Sequence, residues 1–326
     1  MRGRLVVLCL AMLPLLSNCS DGINTLKILH ANINCSDFEQ SLSFYQMLGF
    51  VALLEDDVVV SSVEEAAGLN MPPYELHAST MRHSDGSMID LIRWTDPYDA
   101  SEPYALINHL GLSRISLKTT NLDADMITLQ AQGVEFFSDP VMIDRPIPNS
   151  RLVCFNDPDG TLIELIESGD AVVGGPNLAG TYITGALRTN VNCSDFEVSR
   201  SFYEMLGFET QSEVDEVGSS SLATAVGLPS YHVRASTMKL RRGHSLNLTK
   251  WEDPYDPDPP YAAVNHIGIA RIAIWTLNLD SDMTLLESQG VEFYSEPVRP
   301  TGPYGFLRFA CFEDPDGTVI ELVQLF

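Results

Sequence analysis

The chain has 326 residues, 45% of them hydrophobic, which is enough to bury two ordinary cores. It carries 19 Lys+Arg against 44 Asp+Glu, a formal net charge of −25. The carboxylates are spread along the chain and read as a solvated acidic surface, which argues against nucleic acid or an anionic membrane surface as a partner.

Arg2 and Arg4 precede an apolar run, Leu5 to Leu16, that is shorter than the roughly 20 residues a membrane span needs. Residues 1–19 therefore read as an export signal. Leu16-Ser17-Asn18-Cys19 resembles a bacterial lipoprotein cleavage box, which would lipidate Cys19; ordinary cleavage just after Cys19 is the alternative. Both imply an exported protein, periplasmic, tethered or secreted, that meets a membrane only through a lipid anchor.

From Leu26 to Asn34 the chain alternates as a strand. Ser36 or Asp37 then caps a helix with Phe38, Leu42, Tyr45 and Leu48 on one face, stopped by Gly49. Strands follow over 50–60, 74–81 and 87–94, the last two joined by Ser84-Asp85-Gly86. A second such unit has a strand over 112–118 and a helix on Leu122, Met126 and Leu129 closed by Gly133. A strand over 134–137 follows, then a hairpin across Asp157-Pro158-Asp159-Gly160.

After a linker over 169–184 the scheme recurs. Asn34-Cys35-Ser36-Asp37-Phe38-Glu39 returns as Asn192-Cys193-Ser194-Asp195-Phe196-Glu197, and Asp157-Pro158-Asp159-Gly160-Thr161 returns as Asp314-Pro315-Asp316-Gly317-Thr318. The fold class is α+β, with four βαβββ modules in two sequence halves, 25–168 and 185–326. Cys35, Cys193, Cys154 and Cys311 lie in apolar strand-like runs and read as buried thiols rather than bridges.

The order His-x-Asn-x-Asn, Ser-Asp, Ser-x-x-Phe-Tyr and Leu-Gly-Phe, followed by Asp-Pro-Asp-Gly-Thr-x-Ile-Glu-Leu, resembles vicinal-oxygen-chelate proteins. That family includes glyoxalase I, extradiol dioxygenases and bleomycin-binding proteins. The resemblance implies paired modules whose sheets curl into two glyoxalase-like cups. Each cup typically holds a divalent metal on four positions in the first and last strands of the modules, where the ion acts as a Lewis acid.

Carried onto this chain, those positions read His30, Asp90, Arg114 and Glu164 in the first half, and Arg188, Asn247, Arg271 and Glu321 in the second. The first half alone keeps three ligand types, His30, Asp90 and Glu164, with His77 on the next strand as an added ligand, so a divalent metal is expected there or nowhere. Arginine stays protonated and has no acceptor, so it does not ligate metals. The other reading pairs Arg114 with Glu164 and Arg271 with Glu321 in the space an ion would take, leaving a cup for anionic or oxygen-rich ligands. His30, with Glu164, is then the candidate acid/base.

The resemblance thus implies an exported protein that binds a small oxygenated molecule, with lyase or isomerase chemistry in the first domain and a degenerate second one. The alternatives are a metal-free sequestering protein and an extradiol-type dioxygenase. One chain supplies both domains, so a monomer suffices, with a homo-oligomer left open. His109 and His266 read as loop anchors, while Trp94 and Trp251 line a pocket mouth or pin the linker between modules.

Overall fold

The computed structural model describes residues 22–143 and 149–326. Residues 1–19, read from sequence as an export signal, lie outside the described residues with Cys9 and Cys19. Module 1 comprises β1 (Thr25–Asn34), α1 (Phe38–Met47), β2 (Val51–Val60), α2 (Val63–Gly68), β3 (Glu75–Arg82) and β4 (Met88–Asp96). Module 2 comprises β5 (Gly111–Thr119), α3 (Leu122–Ala131), β6 (Val141–Ile143), β7 (Ser150–Asn156) and β8 (Leu162–Glu167). Module 3 repeats the first as β9 (Ile183–Asn192), α4 (Phe196–Met205), β10 (Glu209–Gly218), α5 (Ser220–Ala225), β11 (His232–Lys239) and β12 (Ser245–Asp253). Module 4 holds β13 (Gly268–Thr276), α6 (Leu279–Ser288), β14 (Leu307–Glu313) and β15 (Val319–Leu325).

Local chemistry explains the helices. The Asp37 side chain accepts from Gln40 N at 3.0 Å, and Asp195 accepts from Glu197 N and Val198 N, each at 3.1 Å, so both first turns are capped. Gly49 and Gly207 then leave α1 and α4 at positive φ. The strand expected at 134–137 is only a single bridge, Phe136 to Phe155, and the paired strand is β6 further on. Val134 is buried without a ladder, so its apolar character reflects packing rather than pairing. The six-residue helices α2 and α5 were too short to declare a helical period.

The module pairing crosses the repeat. One sheet runs β14-β15-β13-β1-β4-β3-β2 and the other β10-β11-β12-β9-β5-β8-β7-β6. Module 1 therefore shares a sheet with module 4, and module 2 with module 3. The antiparallel seams are β1–β13 and β5–β9. The cups are built from both sequence halves, 25–168 and 185–326, rather than one from each.

Buried amides hold this arrangement. Asn34 Nδ2 donates to Val264 O (2.7 Å) and His266 O (2.6 Å), while its Oδ1 accepts from Trp94 Nε1 at 3.0 Å. Asn192 repeats the clip on Ile107 O (2.5 Å), His109 O (2.6 Å) and Trp251 Nε1 (3.1 Å). The Trp–Asn pairs thus pin the inter-module loop of the opposite half. Contacts within each half run instead through helix and turn: Tyr45 Oη donates to Asp157 Oδ2 at 2.8 Å, and Tyr203 Oη to Asp314 Oδ2 at 2.9 Å.

One large apolar core joins β1, β5, β9 and β13 with the four longer helices. A smaller cluster lines each cup, around Trp94, Val323 and Phe309 in one and Trp251, Cys154 and Leu162 in the other. All four described cysteines are free and buried.

Candidate functional site: two cups of one layout

Strand register places the cup residues in matching rows. Across β3, β4, β1, β13 and β15, Thr80, Asp90, Asn32, Arg271 and Val319 stand side by side. The neighbouring row is His30, Ala273, Glu321 and Cys311. In the other sheet the rows are Thr237, Asn247, Asn190, Arg114 and Leu162, then Arg188, Ser116, Glu164 and Cys154. Paired residues on adjacent strands point to one face, so each set lines one cup.

This geometry corrects the grouping of the candidate ligands. His30 and Asp90 belong to the seven-stranded sheet and Glu164 to the eight-stranded one, so the set His30, Asp90, Glu164 does not meet, nor do His30 and Glu164 form one acid/base pair. The partners of His30 and Asp90 are Arg271 and Glu321 from the last module. His77 is also displaced: Leu76 and Ala78 belong to the cup cluster, whereas the His77 ring stacks on Phe38 of α1 with centroids 3.4 Å apart. Strand alternation turns it to the helix-covered face.

In the first cup His30 Nε2 lies 3.3 Å from Asp90 Oδ2. Arg271 Nε donates to Glu321 Oε2 at 3.0 Å, with both side chains 9% exposed. Burial is the largest influence and acts to lower the arginine pKa, but the charge and hydrogen bond of Glu321, with Cys311 and Tyr74, together outweigh it, so Arg271 is raised. Asp90 Oδ1, Arg271 Nη1 and both amide atoms of Asn32 are buried with no hydrogen-bond partner. Helix α2 covers this cup. A Cβ on Gly68 would stand 2.8 Å from Val298 Cγ2, and buried Glu65 accepts from Ser62 N (2.7 Å) and Thr301 N (2.9 Å).

In the second cup Arg114 Nε is 3.7 Å from Glu164 Oε1. Ser116, where the first cup has Ala273, donates its hydroxyl to Glu164 Oε2, so the arginine shares its carboxylate. Asn190 Nδ2 donates to Ser116 Oγ at 2.9 Å, and Asn247 Nδ2 to Thr249 Oγ1 at 2.9 Å. Arg188 is 7% exposed and has no ion-pair partner among the described residues. Burial pushes it below the usual arginine range, against the pull of Glu164.

The cups therefore share a plan and differ in charge. Asp90 with His30 becomes Asn247 with Arg188. Counted with neutral imidazole, the first cup carries one net negative charge and the second one net positive charge.

Neither donor set suits a divalent ion. Arginine fills one ligand position in the first cup, where Arg271 holds Glu321, and two in the second, Arg114 and Arg188. Among the described residues no three His, Cys, Asp or Glu side chains gather closely enough to share a metal. The donors are those of a site that binds through hydrogen bonds and fixed charge.

Other paired residues are structural. His109 and His266 bond through Nδ1 to Leu110 O and Ile267 O, both at 2.7 Å, and stack on Tyr261. Arg151 bonds to Asp123 and Glu167, and Arg308 to Asp280 and Gln324, away from the cups.

Known proteins share this architecture. Glyoxalase I from Zea mays superposes with a TM-score of 0.62 at 17% identity, covering 92% of this chain and 93% of its own. A putative dioxygenase from Bacillus subtilis gives 0.61 at 12% identity, covering 93% and 86%. The protein YwkD of Bacillus subtilis is 31% identical over 136 residues, 40% of this chain and 90% of its own length, and YaeR of Escherichia coli is 29% identical over 132 residues, 40% and 88%. The model of the Glyoxalase/Bleomycin resistance protein/Dioxygenase superfamily matches residues 27–165 and again 185–322, and with two sheets of the expected module order the chain belongs to that superfamily.

Proposed function

We propose that the protein binds a small oxygenated molecule in the cup of modules 1 and 4 and catalyses proton transfer on it, as an isomerase or lyase of glyoxalase-like type. The observation that carries this reading is the His30–Asp90 contact at 3.3 Å, in a cup whose adjoining strands carry the Arg271–Glu321 pair. An imidazole beside a carboxylate is a common general acid/base arrangement. Asp90 holds the ring, Arg271 steadies a developing oxyanion, and the unpartnered Asn32 amide orients hydroxyl or carbonyl oxygens. The chain works as a monomer in this reading, because both sheets are completed within it. Residues 1–19 carry it out of the cytoplasm, by lipidation at Cys19 or plain cleavage; the mass of the mature N-terminus distinguishes the two.

The test is exchange of solvent deuterium into small α-hydroxy ketones such as dihydroxyacetone, followed by NMR. Catalysed exchange that falls about 100-fold in His30→Gln supports the reading. Equal exchange in both proteins sinks it. Wild-type binding without exchange favours the sequestering alternative, which draws support from the arginine in each ligand set.

A further inference from the structure

Three of the chain's four lysines line a single cleft. Lys27 on β1, Lys118 on β5 and Lys239 on β11 meet Arg242 and His244 of the β11–β12 turn and Asp85 of the β3–β4 turn, around a space of ≈ 520 Å³. The fourth lysine, Lys250, pairs with Glu252 at 2.8 Å outside the cleft. Four cations and one carboxylate leave the cleft with a net charge of +3 in a chain whose formal charge is −25. A concave positive patch on such a surface concentrates anions far beyond what isolated surface lysines do.

The single carboxylate is already engaged. Asp85 accepts from Ser87 N (2.9 Å) and Ser87 Oγ (2.6 Å) and pairs with Lys118 Nζ at 3.3 Å. Its carboxyl packs directly on Gly185, where a Cβ would stand 2.1 Å from it. Lys27, Lys239 and Arg242 have no carboxylate within ion-pair reach among the described residues. Lys27 is held against Trp275, its Nζ 5.8 Å from the ring centroid, and burial keeps its ammonium below the usual lysine range despite Asp85. His244 donates no charge, because burial lowers it to about 4.

The repeat sharpens the point. Ser84-Asp85-Gly86-Ser87 in the first half corresponds to Arg241-Arg242-Gly243-His244 in the second, and Lys118 corresponds to Trp275. Lys27, which corresponds to Gly185, Lys118 and Arg242 thus belong to one copy each, whereas Lys239 corresponds to Arg82; the four converge only in the fold.

We propose that this cleft binds a small soluble ligand bearing a phosphate or diphosphate group, gripped by Lys27, Lys239 and Arg242. Several separate ammonium charges suit a multiply charged phosphate better than a planar carboxylate. The volume fits a ligand of metabolite size, and half-buried Leu187 offers an apolar contact for its remainder. The site is independent of the cups.

The experiment is calorimetric titration of the whole chain with inorganic pyrophosphate at about 0.05 and 0.3 M KCl, where screening separates charge from other binding. Binding is expected to weaken with salt and to fall about tenfold in Lys239→Gln and in Arg242→Gln, both exposed and safe for folding, and in Lys27→Gln. Lys250→Gln should bind like the wild type. No pyrophosphate binding, or equal binding in Lys239→Gln/Arg242→Gln, overturns the proposal. Capture by vesicles containing phosphatidic acid without any pyrophosphate binding overturns it too, in favour of a lipid headgroup.

Discussion

His30 Nε2 and Asp90 Oδ2 stand 3.3 Å apart on neighbouring parallel strands. At that distance the carboxylate is placed to orient the ring, as a base-orienting group does. Asp90→Asn should therefore slow any proton transfer by about tenfold or more while leaving ligand affinity within a few-fold, and His30→Gln should cost more. Steady-state rates and ligand affinities for both variants check this. A loss of affinity alone would mean that the pair binds rather than reacts.

Arg271 and Glu321 form the tightest buried ion pair of the cups. Removing one partner strands the other. Glu321→Leu should destabilise by about 3 kcal/mol, whereas Arg271→Met/Glu321→Leu should come within about 1 kcal/mol of wild type. Urea unfolding of the two variants decides it, and equal destabilisation would mean that the pair does more than neutralise itself.

Arg188 poses the reverse case. It is buried, lacks an ion-pair partner among the described residues, and sits below the usual arginine range because of burial. Arg188→Met should raise the melting temperature, by about 1–2 kcal/mol of added stability, since it removes an uncompensated charge at similar volume. A lower melting temperature would show that the guanidinium already has a partner in solution.

How much of this was legible in the sequence depends on range. The modules, helix caps and turns follow from local patterns, and the Arg–Glu pairings follow from strand positions. Which modules share a sheet does not, because β5 and β13 present the same alternation to β1. The deciding features are the Asn34 and Asn192 clips on loops some 80 to 230 residues away, whose role no local pattern reveals. His30 and Asp90 stand together on β1 and β4, and the partner the sequence pattern assigns them, Glu164, lies in the other sheet, where Glu321 takes its place beside them. His77 was misplaced for a smaller reason: it neighbours cup residues in sequence, and alternation sends it to the other face.

The half-chains offer a direct test of that topology. Expressed alone, residues 22–176 would hold β1 and β5 without β13 and β9, leaving two apolar sheet edges open. Each half should be aggregated or self-associated by itself. Co-expressed with 177–326, it should give a stable 1:1 complex by size-exclusion chromatography with light scattering. A monomeric, cooperatively folded 22–176 would contradict the seams β1–β13 and β5–β9.

The Asp-Pro-Asp-Gly turns make stability pH-dependent in an unusual direction. Burial lifts the Asp157 and Asp314 carboxyls to about 6 from a reference of 3.8, although Tyr45, Tyr203 and backbone amides donate to them. A folded-state value above the unfolded one means that the folded chain binds protons more tightly between those limits. The contribution is thus fully present below about pH 4 and is lost as pH rises through about 6, worth at most a few kcal/mol per site. Comparison of a variant with the wild type isolates these two sites. Asp157→Asn/Asp314→Asn keeps an acceptor for the amides and removes the titration. Melting temperatures from pH 4 to 8 should therefore fall less steeply in the double variant than in the wild type. Parallel curves would mean that these carboxyls are ionised across the range and that solvent reaches them.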